Sequence, residues 1–259
     1  MAKQIFKPES NELIKAIKCG KEHKIPKLLE NNNLNLTTKE GTPLTLAIQK
    51  NMYTVAKTFI KRGADVTKLD NKGRNALMLS IIKENTELFE QIMFQKNEFN
   101  HKDYLGSTAL IYACLKKNPY FVNRLISQRI DLNIKNYEGN TALIIAAMNN
   151  SYECSKILLR EKISVNEKNN LGKTALMYSA GNGNLRLFEL LINNGAKISE
   201  RDLRGNGALE NAIFVGSYNI VERILSKNVN EVRENILSEI PIIYKHKIRK
   251  IFEKHGIIL

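Results

Sequence analysis

Cysteine is scarce in this sequence: three residues, Cys19, Cys114 and Cys154, among 259. An odd number at such wide spacing argues against a disulfide framework and for a reducing, intracellular setting, the cytoplasm first. Long apolar runs are missing too. The longest, around Thr141 to Met148, falls far short of the roughly 18 residues a membrane span needs. The opening stretch MAKQIFKPESNELIK has no apolar core and no small-residue cleavage site, so no secretory signal is expected. Glycine and proline, at 14 and 5 residues, are too few for a collagenous or low-complexity chain. With 43% hydrophobic and 25% charged residues the composition is globular.

The patterns that carry catalysis are absent as well. His23, His101, His246 and His255 are scattered and form no ligand spacing with cysteine or carboxylate. There is no G-x-x-x-x-G-K-[ST] phosphate loop, no G-x-G-x-x-G and no G-x-S-x-G. No catalytic residue, metal site or cofactor is expected, and the chain reads as a non-enzyme.

What is present is a repeat. Written in rows of 33, the chain aligns Leu44, Leu77, Leu110, Leu143, Leu176 and Leu209. Two residues before each stands Thr42, Asn75, Thr108, Thr141, Thr174 or Gly207; three after stands Ala47, Ser80, Ala113, Ala146, Ser179 or Ala212. Thr or Asn ahead of an apolar run caps a helix, Pro43 suits its first position, and the small residue lets neighbouring helices approach. Gly183 and Gly216, with Asn51 and Asn150 in the same slot, suit a left-handed residue that closes the helix. A second helix follows with apolar pairs such as Phe59/Ile60 and Leu191/Ile192, then an Asp/Asn-x-x-Gly turn such as Asp70 to Gly73. A unit of helix, turn, helix and hairpin-like loop cannot bury its own apolar face, so units must stack.

These residues resemble ankyrin repeats. The matches are G-x-T-A-L-x-x-A at Gly106 to Ala113 and Gly139 to Ala146, its Ser-ended version at Gly172 to Ser179, Thr42-Pro43-Leu44, and I-x-R-G-A-D-V at Ile60 to Val66. The resemblance implies an all-α ankyrin-repeat solenoid of about seven to eight units. Residues 1–38 read as an N-terminal capping repeat, 39–236 as six regular repeats, and 237–259 as a C-terminal capping helix or degenerate repeat, in one continuous domain. In that terminal helix Tyr244, Ile248, Ile251 and Phe252 share an apolar face while Lys247, Arg249, Lys250 and Lys254 face water. One departure stands out. The His usual after the aligned Leu is replaced by Thr45, Met78, Ile111, Ile144, Met177 and Glu210, so the family's Thr–His hydrogen bond is expected to be missing. Cys114 and Cys154 fall in apolar helix slots and read as buried structural thiols; Cys19 reads as exposed, with nothing beside it to activate it.

The resemblance also implies protein binding in a concave groove of loop tips and inner-helix faces. Carried over by motif position, the tip slots include Lys72, Arg74, Tyr104, Leu105, Ser107, Tyr137, Asn140, Leu171 and Leu203; the inner-helix slots include Leu115, Met148, Phe214 and Val215. Apolar side chains at these slots would form an interaction stripe; the competing reading packs Leu115, Phe214 and Val215 between inner helices as core. A regulatory or inhibitory subunit, or a host-directed effector, would use the same face. A monomer is expected, self-association through the stripe being the alternative.

The net charge of +14 is spread: +6 over residues 1–71, +4 over 72–137, +1 over 138–203 and +3 over 204–259. No basic stripe is interleaved with stacking aromatics, so nucleic acid or acidic lipid is the minor reading. Stability should be uneven. Glu84 and Lys117, and then Lys96, Arg129 and Lys162, occupy slots where the family has glycine, at about 1 kcal/mol for each one held left-handed. Gly207 gives up a side-chain cap. The middle repeats are therefore expected to exchange amide hydrogens faster than those on either side.

Overall fold

A computed structural model describes residues 12–29, 32–95, 98–227, 236 and 240–257. Among the described residues the chain is helical, and the one extended pairing is an isolated bridge between Thr38 and Gly41. Helices α1 (Glu12–Lys18) and α2 (Ile25–Leu28) precede a series of pairs. These are α3 (Pro43–Gln49) with α4 (Tyr53–Lys61), α5 (Ala76–Ile82) with α6 (Thr86–Met93), and α7 (Ala109–Leu115) with α8 (Pro119–Ile126). Then come α9 (Ala142–Met148) with α10 (Tyr152–Leu158), α11 (Ala175–Gly181) with α12 (Leu185–Asn193), and α13 (Ala208–Phe214) with α14 (Tyr218–Lys227). Helix α15 (Ile242–Lys254) follows.

The chain forms two compact units, Met1–Tyr112 and Ala113–Leu259, divided inside α7. In the first, α1 packs on α3 and α3 on α5, while α4 packs on α6. Leu13, Ile17, Leu44, Phe59, Leu77 and Phe89 are sealed in its core. In the second, α9, α11 and α13 lie side by side as inner helices; α8, α10, α12 and α14 form the outer row, and α15 packs on α14. Its core holds Phe121, Leu158, Leu176, Phe188, Leu209 and Phe252. The small-residue slot explains the close inner packing: Ala47 and Ser80 in the first unit, and Ala113, Ala146, Ser179 and Ala212 in the second, are all fully buried.

Each inner helix starts where the sequence places it. The side chains of Thr42, Asn75, Thr108, Thr141 and Thr174 accept from the amide three residues on, at 3.0–3.4 Å. Such a cap contributes about 1 kcal/mol. Two replacements for the family His restore a reciprocal bond that the sequence reading gave up. The Thr42 amide donates to Thr45 Oγ1 at 2.8 Å, and the Gly207 amide donates to the buried Glu210 Oε2 at 2.7 Å. Gly207 itself provides no side-chain cap, and a Cβ there would run into the Arg201 guanidinium.

The helix-closing slot is left-handed throughout: Asn51, Glu84, Lys117, Asn150, Gly183 and Gly216 have φ between 52° and 67°. The later glycine slot is less uniform. Arg129 takes φ 54°, whereas Lys162 is not among the described residues with positive φ. Lys96 lies outside the described residues. So do 237–239, where the C-terminal segment was expected to begin. Helix α15 buries Ile248, Ile251 and Phe252. Tyr244 stands edge-on to Tyr218 with ring centroids 6.3 Å apart, and Lys247 lies over that Tyr218 ring at 4.0 Å.

Candidate functional site

The loops that precede the inner helices are built on one device. Asp70 Oδ1 accepts from the Lys72 and Arg74 amides at 2.8 and 2.9 Å. The same pair of bonds recurs at Asp103 to Leu105 and Ser107, Asn136 to Glu138 and Asn140, Asn169 to Leu171 and Lys173, and Asp202 to Arg204 and Asn206. One carboxylate or amide oxygen thereby satisfies two amides that a tight turn leaves without backbone partners. Neighbouring loops are then joined backbone to backbone. In the first unit the Tyr104 amide donates to the Lys72 carbonyl at 3.0 Å. In the second, Asn170 donates to Glu138 and Leu203 to Leu171, both at 3.0 Å. Glycine is required at the fourth loop position for two reasons. Gly172 has φ 76°, and a Cβ there would stand 2.8 Å from the Leu203 amide nitrogen.

This framework consumes the loops' polar backbone and leaves the side chains at its two middle positions outside. Tyr104 and Leu105 in the first unit are 65% and 67% exposed; Tyr137, Leu171 and Leu203 in the second are 68%, 60% and 78% exposed. At the inner-helix ends Leu115, Phe214 and Val215 remain 41–44% exposed, so they are not core, and Met148 is half-buried. Lys72 is exposed. Of the twelve large apolar side chains exposed among the described residues, these loop and inner-helix slots hold eight. The other four are Phe94, Tyr120, Ile242 and Ile243, which the sequence reading did not single out.

Not every tip slot faces out. Arg74 turns inward, its Nη2 2.6 Å from Asp70 Oδ2, to which Gln49 Nε2 also donates at 2.9 Å. Ser107 and Asn140 are buried, the latter bonded to Asn169 Nδ2 at 2.9 Å. Two tyrosines behind the loops were also missed from sequence. Tyr112 Oη donates to Asp103 Oδ2 at 2.5 Å, and Asn169 Nδ2 donates to Tyr178 Oη at 3.0 Å. Burial, together with the Asp103 hydrogen bond and charge, pushes the Tyr112 phenol above the ordinary tyrosine value. The available signal was their shared slot, two residues after the aligned Leu110 and Leu176, which Leu46 occupies in α3.

The outer row differs in kind. There Lys57 pairs with Glu87 in the first unit, and Glu189 with Arg223 and Glu222 with Lys254 in the second. The last two pairs line an open groove of about 350 Å³ with Leu185 and His255. The bond from Arg223 holds the Glu189 carboxyl below its usual range. Lys245, Arg249 and Lys250 on α15 are exposed. Among the described residues no three His, Cys, Asp or Glu side chains gather as a metal site would require. No described helix is long and apolar enough to cross a membrane.

Comparison with known proteins agrees with this construction. A family model for ankyrin repeats, in three copies, matches residues 13–103, 77–169 and 161–235. The sequence matches none of the curated proteins. Among solved structures, the ankyrin repeat domain of Bcl-3, described as a unique member of the IkappaB protein family, is similar at 24% identity and a TM-score of 0.64. The alignment covers 76% of this chain and 91% of that one. At that identity the likeness concerns the fold.

Proposed function

Since the chain belongs to the ankyrin-repeat family, a family of non-enzymatic modules that mediate protein–protein interaction, we propose that it captures a protein partner on its loop tips and inner-helix ends. In the first unit the recognition residues are Lys72, Tyr104 and Leu105, with Arg74 shaping the loop from behind. In the second they are Leu115, Tyr137, Met148, Leu171, Leu203, Phe214 and Val215. The supporting observation is the concentration of exposed apolar side chains on loops whose backbone is already hydrogen-bonded. Such loops lose little freedom on binding, which removes part of the cost of association.

Magnitudes require several tips to act together. Burying one Leu or Tyr side chain contributes up to ~1.5–3 kcal/mol, against an association cost of ~4–15 kcal/mol. A lone tip cannot hold a partner. The test is capture from lysate by the chain and by its Leu171→Ser/Leu203→Ser variant, with thermal melting alongside. The proposal requires loss of capture at unchanged melting temperature. Loss of both together would assign these side chains to packing. Retention on heparin that collapses between low and moderate salt would assign binding to the exposed lysines and arginines of α15 instead.

A further inference from the structure

Helix α15 opens in the phase of a further repeat. Pro241 stands six periods after Pro43, and Ile242 and Ile243 take the aligned-Leu slot and the slot after it. In the six preceding repeats both slots are at most 3% exposed. Here Ile242 is 89% and Ile243 77% exposed, and Ile242 is the most exposed large apolar side chain among the described residues. The cause lies at Lys245, in the slot that holds a fully buried Ala or Ser in those six repeats. A lysine there bars close approach to a neighbouring inner helix, because its ammonium must stay hydrated. Helix α15 packs on the outer helix α14 instead, burying Ile248, Ile251 and Phe252 and leaving its first turn uncovered.

That turn is held in place, and the charge around it has one sign. Tyr244 stands edge-on to Tyr218 at 6.3 Å between ring centroids, and a Cβ on Gly216 would come within 2.6 Å of the Tyr244 ring. The two isoleucines therefore sit on a fixed corner of the second unit. Residues 241–252 include no carboxylate, and Lys245, Arg249 and Lys250 are exposed one to two turns behind the isoleucines. We propose that the start of α15 is a membrane-docking corner: Ile242 and Ile243 enter the surface of an anionic bilayer while Lys245, Arg249 and Lys250 meet its headgroups. A protruding apolar corner suits a surface that deforms around it, and the hydrocarbon beneath the headgroups receives it without a matching groove. Anionic headgroups complement the three cations, whereas a second copy of the chain would bring the same positive charge to the corner. Nucleic acid would engage the cations but reward neither isoleucine. The corner lies on a bilayer rather than spanning one, since no described helix is long and apolar enough to cross. Nothing in the proposal depends on the loop tips.

The experiment is co-sedimentation of the full chain with vesicles of phosphatidylcholine alone and of phosphatidylcholine and phosphatidylserine in equal parts. The full chain should sediment with the anionic vesicles and stay in solution with the neutral ones. Ile242→Ser/Ile243→Ser should lower the partition coefficient about tenfold or more, because two side chains lose their transfer into hydrocarbon. Lys245→Gln/Arg249→Gln/Lys250→Gln should lower it by roughly a hundredfold. Leu171→Ser/Leu203→Ser should sediment as the parent chain does, which keeps this outcome separate from partner capture. Equal sedimentation with both vesicles, or with neither, would overturn the proposal. So would an isoleucine variant that partitions like the parent, the result expected of plain adsorption through cations. A lower melting temperature in the isoleucine variant would make Ile242 and Ile243 part of the packing and overturn it too. Sedimentation equilibrium without lipid completes the test: a dimer that Ile242→Ser/Ile243→Ser dissolves would give the corner to a second copy and overturn the proposal.

Discussion

The loop-tip side and the outer-helix row of this protein are cut from the same 33-residue period, yet they handle their surfaces in opposite ways. Along the outer row, charged side chains reach from one repeat to the next, as Glu189 does to Arg223 and Glu222 to Lys254. On the tip side the backbone satisfies itself through Asp103, Asn169 and their counterparts, leaving Tyr104, Leu171 and Leu203 facing water. Exposed single ion pairs contribute little, roughly 0–1 kcal/mol, and serve register and solubility. Exposed apolar groups on a rigid frame contribute nothing to the isolated fold and become favourable only when something covers them. The difference separates the part that maintains the stack from the part available for recognition.

The contrast can be broken most severely at its frame. Gly139→Val should destabilise the second unit by roughly 2 kcal/mol or more, because a left-handed β-branched residue is strained and its Cβ would stand 2.7 Å from the Asn170 amide nitrogen. Thermal melting would register that loss, with weaker capture following from the displaced tip. Next in size, Leu171→Ser with Leu203→Ser should leave melting unchanged and weaken partner binding at least tenfold, read by titration. Smaller again, and of opposite sign, Lys117→Gly and Arg129→Gly should each stabilise by up to about 1 kcal/mol by relieving positive φ. Hydrogen exchange should slow across 106–138 in both variants.

A pH series sharpens the same comparison behind the tips. The Tyr112 phenol is raised in the folded chain, so what it contributes is complete below the ordinary tyrosine value of about 10. That contribution declines as pH climbs from there through the folded value. Tyr112→Phe should flatten this alkaline loss, measured by melting between neutral pH and pH 11. The smallest effect belongs to the outer row: Glu189→Gln should move stability by no more than roughly 0.5 kcal/mol and leave capture untouched.

Much of the fold was legible because each repeat obeys local rules. Thr108, Thr141 and Thr174 announce their caps, and Asn51 and Asn150 their left-handed closures, through spacing alone. What escaped depends on partners many residues away. Thr45 and Glu210 looked like losses of the family hydrogen bond, yet each side chain is long enough or polar enough to reach the same amide. Lys162 looked strained, but it is not among the described residues with positive φ. The apolar tips were visible as Tyr104, Tyr137 and Leu203 in register. Arg74 and Asn140 were not distinguishable from them, because a neighbouring carboxylate or amide decides whether a tip side chain turns in.

The central claim is that the tips, not the outer row, recognise a partner. Its most direct test pairs two variants of matched melting temperature, Leu171→Ser/Leu203→Ser and Glu189→Gln/Arg223→Gln, in one quantitative pulldown read by mass spectrometry. The account predicts that a stoichiometric partner held by the parent chain disappears from the tip variant and stays on the outer-row variant. Retention by the tip variant with loss from the outer-row variant would contradict it.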